Sequence, residues 1–328
     1  MAADIKNITE KFKKLSIDPV YDTNWCDMLV EIKLECIGKM EFAERLSLRC
    51  TAKAERSLVD SQKIKFTKGV FWGDHSALGF DLFCDNTCEF GMRSEDINKN
   101  LELMKYVKKI GMFDNLEISI GSSIKNKFLA YQDQFFTDEG RFAAKNIELQ
   151  YCKMDNIIAV LRKMSDGVES IKINTVRTVL GELGKVLAIS HVQNVPYWHI
   201  RDYYHTDSLH KVAQMWIDKN SKIGFTFQVS VKGVDGSFEK FLEHFFDRIV
   251  AENFKRARIR TNNPDRHILL ERGLDHYVQV DDYLQFFRLI VISAEMKESE
   301  YDDNCKEWIC KMDPVMQRMY DFDYNHGR

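Results

Sequence analysis

The chain has 328 residues, of which 45% are hydrophobic and 30% charged, and its formal net charge is −3. This length can form one large or two ordinary domains with a substantial core, and the composition is typical of a soluble globular protein. The near-neutral charge gives no reason to expect binding to nucleic acid or to an anionic membrane surface.

The first 24 residues contain no long apolar run, so we expect a partly ordered leader and not a signal peptide or membrane anchor. No stretch approaches the roughly 20 apolar residues that span a bilayer. Eight cysteines are scattered along the chain, and their spacing does not fit zinc sites. We therefore expect reduced thiols, no metal or other cofactor, and a cytoplasmic or nuclear location.

Residues 25–66 show helical periodicity in three short segments. We predict that Asp27 caps the first helix, that a break follows between Gly38 and Phe42, and that helices then cover Glu44–Cys50 and Ala52–Gln62. Three short amphipathic helices are too small for a core of their own, so they need the rest of the chain or a partner. The first helix has an apolar face made of Leu29, Ile32, Cys36, Ile37 and Met40.

The order of residues in this stretch resembles an F-box, and the chain as a whole is most similar to the nematode F-box families, in particular the F-box C class. Leu29 and Glu55 stand where the family pattern has proline and tryptophan. The matching positions are Met28, Leu29, Glu31, Ile37, Met40, Leu46-Ser47-Leu48-Arg49, Lys53 and Arg56-Ser57-Leu58-Val59.

This resemblance implies a non-catalytic substrate receptor of a Skp–cullin–F-box ubiquitin ligase. Residues 25–66 would bind the Skp-type adaptor, and residues 67–312 would bind an unknown protein target. The resemblance implies an adaptor-binding face made of Met28, Leu29, Ile32, Ile37, Met40, Leu46, Leu48, Leu58 and Val59. The alternative is a repeat-type protein-interaction module without any link to ubiquitin ligases, in which the first helices only cap the repeats.

Two or three strands joined by turns are predicted between Ile64 and Gly91, and strands then alternate with helices. The strand cores are 24 to 31 residues apart, a spacing found in leucine-rich repeats, and parallel strands follow from the intervening helices. We predict an α/β fold, either an irregular leucine-rich-repeat-like solenoid or an open α/β sheet. The predicted strand cores are Leu116/Ile118, Ile147/Leu149, Ile171/Ile173, Val195/Tyr197 and Phe225/Phe227/Val229.

Further helices are predicted at Ile97–Gly111, Met154–Met164, Val176–Leu187, Ser208–Asp218 and Phe238–Val250. Beyond these, Phe254–Thr261 has the alternating pattern of an edge strand with a solvated basic face. The apolar run Phe286–Ile292 predicts a central strand buried on both faces. A closing helix is expected at Asp302–Met312, followed by a flexible tail over 313–328.

Several short motifs imitate catalytic sites, but none has the surrounding residues that its chemistry requires. His199-Ile200-Arg201-Asp202 lacks the rest of a kinase catalytic loop. Gly181–Gly184 lacks the strand–turn–helix context of a dinucleotide site.

The densest cluster of aromatic residues in the sequence is a candidate binding surface. Aromatic residues with polar tips are common in binding hot spots, and they are also common in protein cores. We predict that a protein target contacts Tyr197, Trp198, His199, Tyr203 and Tyr204.

Overall fold

The computed structural model describes residues 24–73, 77–85, 87–94, 96–120, 133–138, 140–174, 183–203, 209–232, 236–275, 284–303 and 306–307. The chain divides into two compact units, of which the first ends at Lys63 and the second begins at Ile64. The predicted leader over 1–24, apart from Asn24, and the predicted tail over 313–328 lie outside the described residues.

The first unit contains a 3₁₀ turn at Trp25–Asp27 and three helices, α1 (Val30–Lys39), α2 (Phe42–Arg49) and α3 (Lys53–Ser61). The three-helix prediction is therefore confirmed, with two local corrections. Asp27 is not the N-cap of α1, because that position is Leu29, whose side chain makes no capping bond. Gly38 lies inside α1, and the break comes at Met40 and Glu41.

Polar side chains tie these three helices together. Arg45 is 4% exposed and donates from Nε to Met40 O and from Nη2 to Gly38 O, both at 3.1 Å. These bonds satisfy carbonyl groups that the C-terminal end of α1 leaves without intrahelical partners. Arg49 forms a two-pronged ion pair with Asp60, at 2.6 and 3.2 Å, which joins α2 to α3.

The second unit is built on one mixed sheet of 12 strands within the described residues. The helices are α4 (Ile97–Ile110), α5 (Met154–Arg162), α6 (Leu183–Leu187), α7 (Leu209–Lys219) and α8 (Ser237–His244), with a further short helix over 133–137. The strands β1 to β12 are, in chain order, Ile64–Gly73, Leu78–Cys84, Thr87–Ser94, Gly111–Ile120, Ala143–Gln150, Ser170–Asn174, Tyr197–Tyr203, Thr226–Lys232, Ile249–Glu252, Arg256–Arg260, Arg266–Asp275 and Leu284–Ser293.

The order across the sheet is β3-β2-β1-β4-β5-β6-β7-β8-β12-β11-β10-β9. Strands β1 and β4 to β8 are parallel, and the remaining strands pair antiparallel at the two sides. The prediction of a mixed α/β fold with parallel strands is confirmed. The linear order fits the open-sheet alternative.

The parallel strands follow one another in chain order without a reversal. Crossovers of one hand then place all the connecting helices on the same face of the sheet. Contacts between α5 and α6, and between α7 and α8, agree with such a helix layer. Apolar residues fill the interior beneath it, and Ile118, Leu149 and Ile173 are at most 1% exposed.

A row of polar residues runs across the same sheet, one from each of strands β4 to β8 and β10 to β12. Each member lies directly opposite the next in the strand register, so all of them share one face. The row changes from half-buried at Glu117 to fully buried at Gln228. We call it the polar row, and its members are Glu117, Glu148, Lys172, His199, Gln228, Arg288, Glu271 and Arg256.

Side-chain bonds link the buried half of the polar row. Arg288 Nε donates to Gln228 Oε1 at 3.1 Å, and Arg288 Nη1 lies 3.6 Å from Glu271 Oε2. On the next strand, Arg256 Nε donates to Glu271 Oε1 at 2.8 Å. Arg288 and Glu271 are only 2% and 3% exposed, so each charge depends on its partners in place of water.

A second lateral row consists of short amides and a hydroxyl. Asn115 Nδ2 donates to Thr67 O at 3.1 Å, and Asn146 Nδ2 donates to Asp114 O at 3.0 Å. Ser170 Oγ donates to Asn146 Oδ1 at 2.7 Å and extends the row to β6. Each bond joins neighbouring parallel strands, so this row holds β1, β4, β5 and β6 in register.

The structure corrects two further predictions in the second unit. Phe238–Val250 is not one helix, because α8 ends at His244 and Ile249 begins β9. Arg256–Arg260 is not an edge strand, since β9 covers its outer side. Its predicted solvated basic face is also largely covered, because Arg258 is 8% exposed. The guanidinium of Arg258 donates to carbonyl groups of Ser293, Ala294 and Met296 and to Tyr301 Oη.

The strand predicted at Phe286–Ile292 is confirmed as β12, which lies between β8 and β11, and its described side chains from Phe287 to Ile292 are buried. Only part of the predicted helices at Val176–Leu187 and Asp302–Met312 lies within the described residues. Of the first, Leu183–Leu187 is helical, and of the second, residues 302–303 and 306–307 are helical.

Removing Arg288 tests the importance of the buried polar row. We expect Arg288→Met to lower the free energy of unfolding by about 3 kcal/mol, because the buried Glu271 carboxylate loses one of its two guanidinium partners. Arg260→Met, at the exposed end of β10, is the matched control and should cost less than about 0.5 kcal/mol. Urea unfolding followed by circular dichroism measures both. Equal losses in the two variants would contradict a special role for Arg288.

Candidate protein-interaction surfaces

The start of α1 presents apolar side chains to solvent. Leu29 is 68% exposed, Val30 51% and Ile32 47%. Large exposed apolar side chains that cluster within four residues are typical of a binding surface. We call these three residues the α1 apolar patch.

The adaptor-binding residues expected from the resemblance fall into three groups. Leu29 and Ile32 belong to the α1 apolar patch, whereas Ile37 and Val59 are 0% exposed and belong to the interior. Sequence periodicity missed Val30, since it predicts a single helix face and Val30 lies beside that face. The half-buried residues are Met28, Met40, Leu46, Leu48 and Leu58.

Glu55, which stands where the F-box pattern has tryptophan, is 9% exposed in the first turn of α3. Its Oε1 atom lies 4.0 Å from Lys33 Nζ, and Lys33 is equally buried. Lys33 also donates to Cys26 O at 3.4 Å and lies over the Trp25 ring. An ion pair between α1 and α3 therefore occupies this position, where a large ring would otherwise fill space.

Leu29, which stands where the F-box pattern has proline, adopts a backbone conformation that proline shares. Its φ is −58° and its ψ is 147°, and Met28 before it is extended, with φ −68° and ψ 142°. Proline fixes φ near −65° and requires an extended residue before it. The Leu29 N–H also donates to no other backbone group among the described residues.

We therefore expect Leu29→Pro to fold normally and to raise the free energy of unfolding by about 0.4–1 kcal/mol, because proline restricts the unfolded chain. Glu35→Pro, in the middle of α1, is the control and should cost about 3 kcal/mol or more. Thermal and urea unfolding of both variants test this. A large loss of stability in Leu29→Pro would show that the backbone at this position does not suit proline.

The aromatic residues predicted to contact a target are largely interior. Tyr197, Trp198 and His199 are 0%, 3% and 1% exposed, in a strand with neighbours on both sides. A buried side chain has no surface to offer a protein partner, so a direct contact by these three is not supported. Tyr203 ends β7, but its side chain is not described, and Tyr204 lies outside the described residues.

His199 occupies the centre of the polar row, between Lys172 and Gln228. Burial lowers the pKa of His199 well below its usual value, and the positive charges of Arg201, Lys172 and Arg288 lower it further. The folded protein therefore holds a neutral imidazole here. Below pH 6.5 the unfolded chain takes up a proton that the folded chain does not, so stability decreases as the pH falls.

This linkage predicts the pH dependence of a variant. Between pH 7 and 5.5 we expect His199 alone to lower the free energy of unfolding of the wild type by up to about 1.4 kcal/mol per pH unit. His199→Gln should reduce that slope, whatever its effect on stability at pH 7. Ser57→Gln, at an exposed position without a titratable side chain, should leave the slope unchanged. Identical slopes in all three proteins would contradict a buried neutral His199.

A groove of about 190 Å³ lies over the half-exposed part of the polar row. Glu117 and Glu148 are directly opposite each other there, an arrangement that destabilises neighbouring strands unless nearby groups compensate. Lys68 Nζ lies 2.8 Å from Glu117 Oε2, and Gln150 Nε2 donates to Glu148 Oε1 at 2.9 Å. The other polar lining residues are Asn115, Asn146, Ser170 and Lys172.

The local sequence contained a signal for the polar row. In the predicted strand cores, a polar residue stands between two apolar ones, as in Leu116-Glu117-Ile118 and Ile171-Lys172-Ile173. This alternation indicates one apolar and one polar face for each strand. Only the register shows that the polar residues of different strands lie in one line.

Lys108 is a buried titratable group that belongs neither to the α1 apolar patch nor to the groove over the polar row. Burial lowers the pKa of Lys108 to about 8, although Asp138 opposes the shift. Its Nζ atom donates to Phe135 O at 3.3 Å and to Asp138 O at 3.2 Å, at the C-terminal end of the short helix over 133–137. These bonds give Lys108 a structural role, because a cation at a helix C-terminus is stabilising.

Within the described ranges, no three His, Cys, Asp or Glu residues come together to hold a metal ion. His210 and His244 form a pair with ring centroids 4.7 Å apart beside a depression of about 500 Å³. No helix in the described part of the chain has both the length and the hydrophobicity needed to cross a bilayer.

The described cysteines are free thiols. They are Cys26, Cys36, Cys50, Cys84, Cys88 and Cys152.

Comparison of the chain with family models, with curated proteins and with solved structures finds no match.

Proposed function

We propose that the protein is the substrate-receptor subunit of a Skp–cullin–F-box ubiquitin ligase. Its first unit binds the Skp-type adaptor, and its second unit binds a target protein. The observation that carries this proposal is the α1 apolar patch, because Leu29, Val30 and Ile32 are about half to two-thirds exposed on a unit that is compact by itself.

The energetics of the α1 apolar patch suit a docking surface. Complete burial of a leucine, isoleucine or valine side chain contributes roughly 1.5–3 kcal/mol. Three such side chains in one patch are enough to dominate an interface in which a few residues supply most of the binding energy. Leu29 and Ile32 are also among the residues that the F-box resemblance assigns to adaptor binding.

The second unit offers a target-binding surface on the sheet face that carries the polar row. One-handed crossovers put the connecting helices on the opposite face, so the groove beside Glu117, Glu148 and Lys172 opens to solvent. Parallel strands in chain order, with one helix layer, support a leucine-rich-repeat-like arrangement, in which binding surfaces are extended. This face replaces the buried residues Tyr197, Trp198 and His199 as the target-binding candidate.

Such a receptor works by proximity and forms no covalent intermediate. It holds a lysine of the target close to a ubiquitin-charged enzyme on the same assembly, which raises the effective concentration of the reacting groups. The chain therefore needs two binding surfaces and no catalytic residues of its own.

The competing function is a protein-interaction module without any ligase link. The burial of Ile37 and Val59 favours it, because two of the expected adaptor-binding residues present no surface to an adaptor. The two functions differ in what the α1 apolar patch binds, which makes that patch the place to test them.

Substitution within the α1 apolar patch distinguishes the two functions. We expect Ile32→Asp to reduce recovery of a purified Skp-type adaptor by at least about tenfold, a loss of 1.4 kcal/mol or more in binding free energy. Ile223→Asp is the matched control, since Ile223 is 52% exposed in the second unit, and it should leave recovery unchanged. Circular dichroism confirms that both variants fold.

Equal recovery of the adaptor by both variants would contradict adaptor binding through α1. Failure of the wild-type protein to bind any Skp-type adaptor would favour the module without a ligase link.

A further inference from the structure

Two histidine rings meet in the second unit, where α7 contacts α8. His210 comes from the first turn of α7, and His244 is the last residue of α8. Their ring centroids are 4.7 Å apart, and the rings are tilted by 36°. Both residues line a depression of about 500 Å³. The fold therefore brings two imidazole rings from distant parts of the sequence to one small space.

The separation of the rings is close to that of two imidazoles bound to one metal ion. Imidazoles on a tetrahedral Zn²⁺, with Zn–N bonds of about 2.0–2.1 Å, have ring centres roughly 5 Å apart. The backbone at both positions is held by the core. His244 precedes Phe245, which is 2% exposed and meets the His244 ring edge to face at 4.7 Å. His210 follows Leu209, which is 1% exposed. Rotation of the two side chains is then enough to bring a nitrogen of each ring to one ion.

Two glutamine side chains supply acceptor oxygens beside the histidines, and both line the depression. Gln214 lies one turn after His210 on α7, and its Nε2 atom donates to Asp218 Oδ1 at 2.7 Å. The Nε2 atom of Gln193 donates to Leu187 O. Each amide group thus directs its nitrogen to an acceptor within the protein, which leaves its carbonyl oxygen for a ligand.

This set of atoms suits a transition-metal ion better than other small ligands. Imidazole nitrogen binds Zn²⁺, Ni²⁺ and Cu²⁺ well, whereas Mg²⁺ and Ca²⁺ take oxygen ligands. Lys211 and Lys219 also line the depression, but both are exposed and can extend their ammonium groups into water. An anion would meet the carboxylate of Asp218 and the two amide oxygens, so the depression does not favour one.

We propose that His210 and His244 bind one divalent transition-metal ion, which joins α7 to α8. Gln193 and Gln214 contribute amide oxygens, and water completes the coordination. Because only two strong ligands come from the protein, we expect a dissociation constant in the micromolar range. This proposal replaces the expectation of no metal ion, since the two histidines meet only through the packing of the helices. It does not depend on the ligase proposal.

Isothermal titration of Ni²⁺ into the full chain tests the site. We expect the wild type to bind one ion per chain, and a large excess of Mg²⁺ should not compete. His210→Ala and His244→Ala should each raise the dissociation constant at least tenfold. His244 is exposed, so its replacement leaves the core intact. Lys211→Gln is the matched control on α7, and it should bind Ni²⁺ no more weakly than the wild type, because it keeps both rings.

Thermal unfolding in the presence of Ni²⁺ gives a second readout. An ion that bridges two helices binds the folded chain and not the unfolded one, so the unfolding temperature of the wild type should rise with Ni²⁺ concentration. The unfolding temperature of His244→Ala should stay constant over the same concentrations. Binding should also weaken as the pH falls from about 7.5 to 5.5, because a metal ion binds the neutral imidazole.

A wild type that binds no Ni²⁺ up to about 1 mM would overturn the proposal. Equally tight binding by His244→Ala would also overturn it, because the ion would then lie elsewhere, for example at the exposed thiols of Cys26, Cys50 and Cys88. A wild type that binds Ni²⁺ without any rise in its unfolding temperature would contradict a bridge between α7 and α8.

Discussion

The buried guanidinium of Arg288 donates to Gln228 of β8 and pairs with Glu271 of β11, and so joins the parallel and antiparallel halves of the sheet. Strand β12 carries Arg288 between the last parallel strand, β8, and the antiparallel strands β11, β10 and β9. A charge in the middle of an otherwise apolar strand is tolerated only where partners replace water, and the register supplies Gln228 on one side and Glu271 on the other. A slip of one residue would turn Arg288 to the apolar face, so this contact specifies how the parallel and antiparallel halves meet.

The same constraint organises the rest of the polar row. Each of the parallel strands β4 to β8 has a polar residue between two apolar ones, and the apolar ones face the helix layer. Where the row is half-exposed, Glu117 is compensated by Lys68, and the surface retains ionised groups that a partner can contact. Where the row is buried, His199 stays neutral and the charged residues pair. One line of side chains thus changes from a surface feature into a core feature along the sheet.

The sequence predicted elements whose signal is local and missed features that depend on distant neighbours. Alternation around Leu116 and Ile171 was sufficient to find the strands, the helices between them predicted the parallel direction, and the spacing limited the fold to a solenoid or an open sheet. The apolar spacing of Phe238, Phe241 and Phe245 continues toward Val250, but the chain turns after His244 because β9 pairs with β10. The burial of Tyr197, Trp198 and His199 likewise comes from β6 and β8 on either side, which a local pattern does not reveal.

The α1 apolar patch differs from the other apolar side chains of its helices. Ile37 and Val59 are fully buried, whereas Leu29, Val30 and Ile32 stay exposed, so these three add little to folding and are available to a partner.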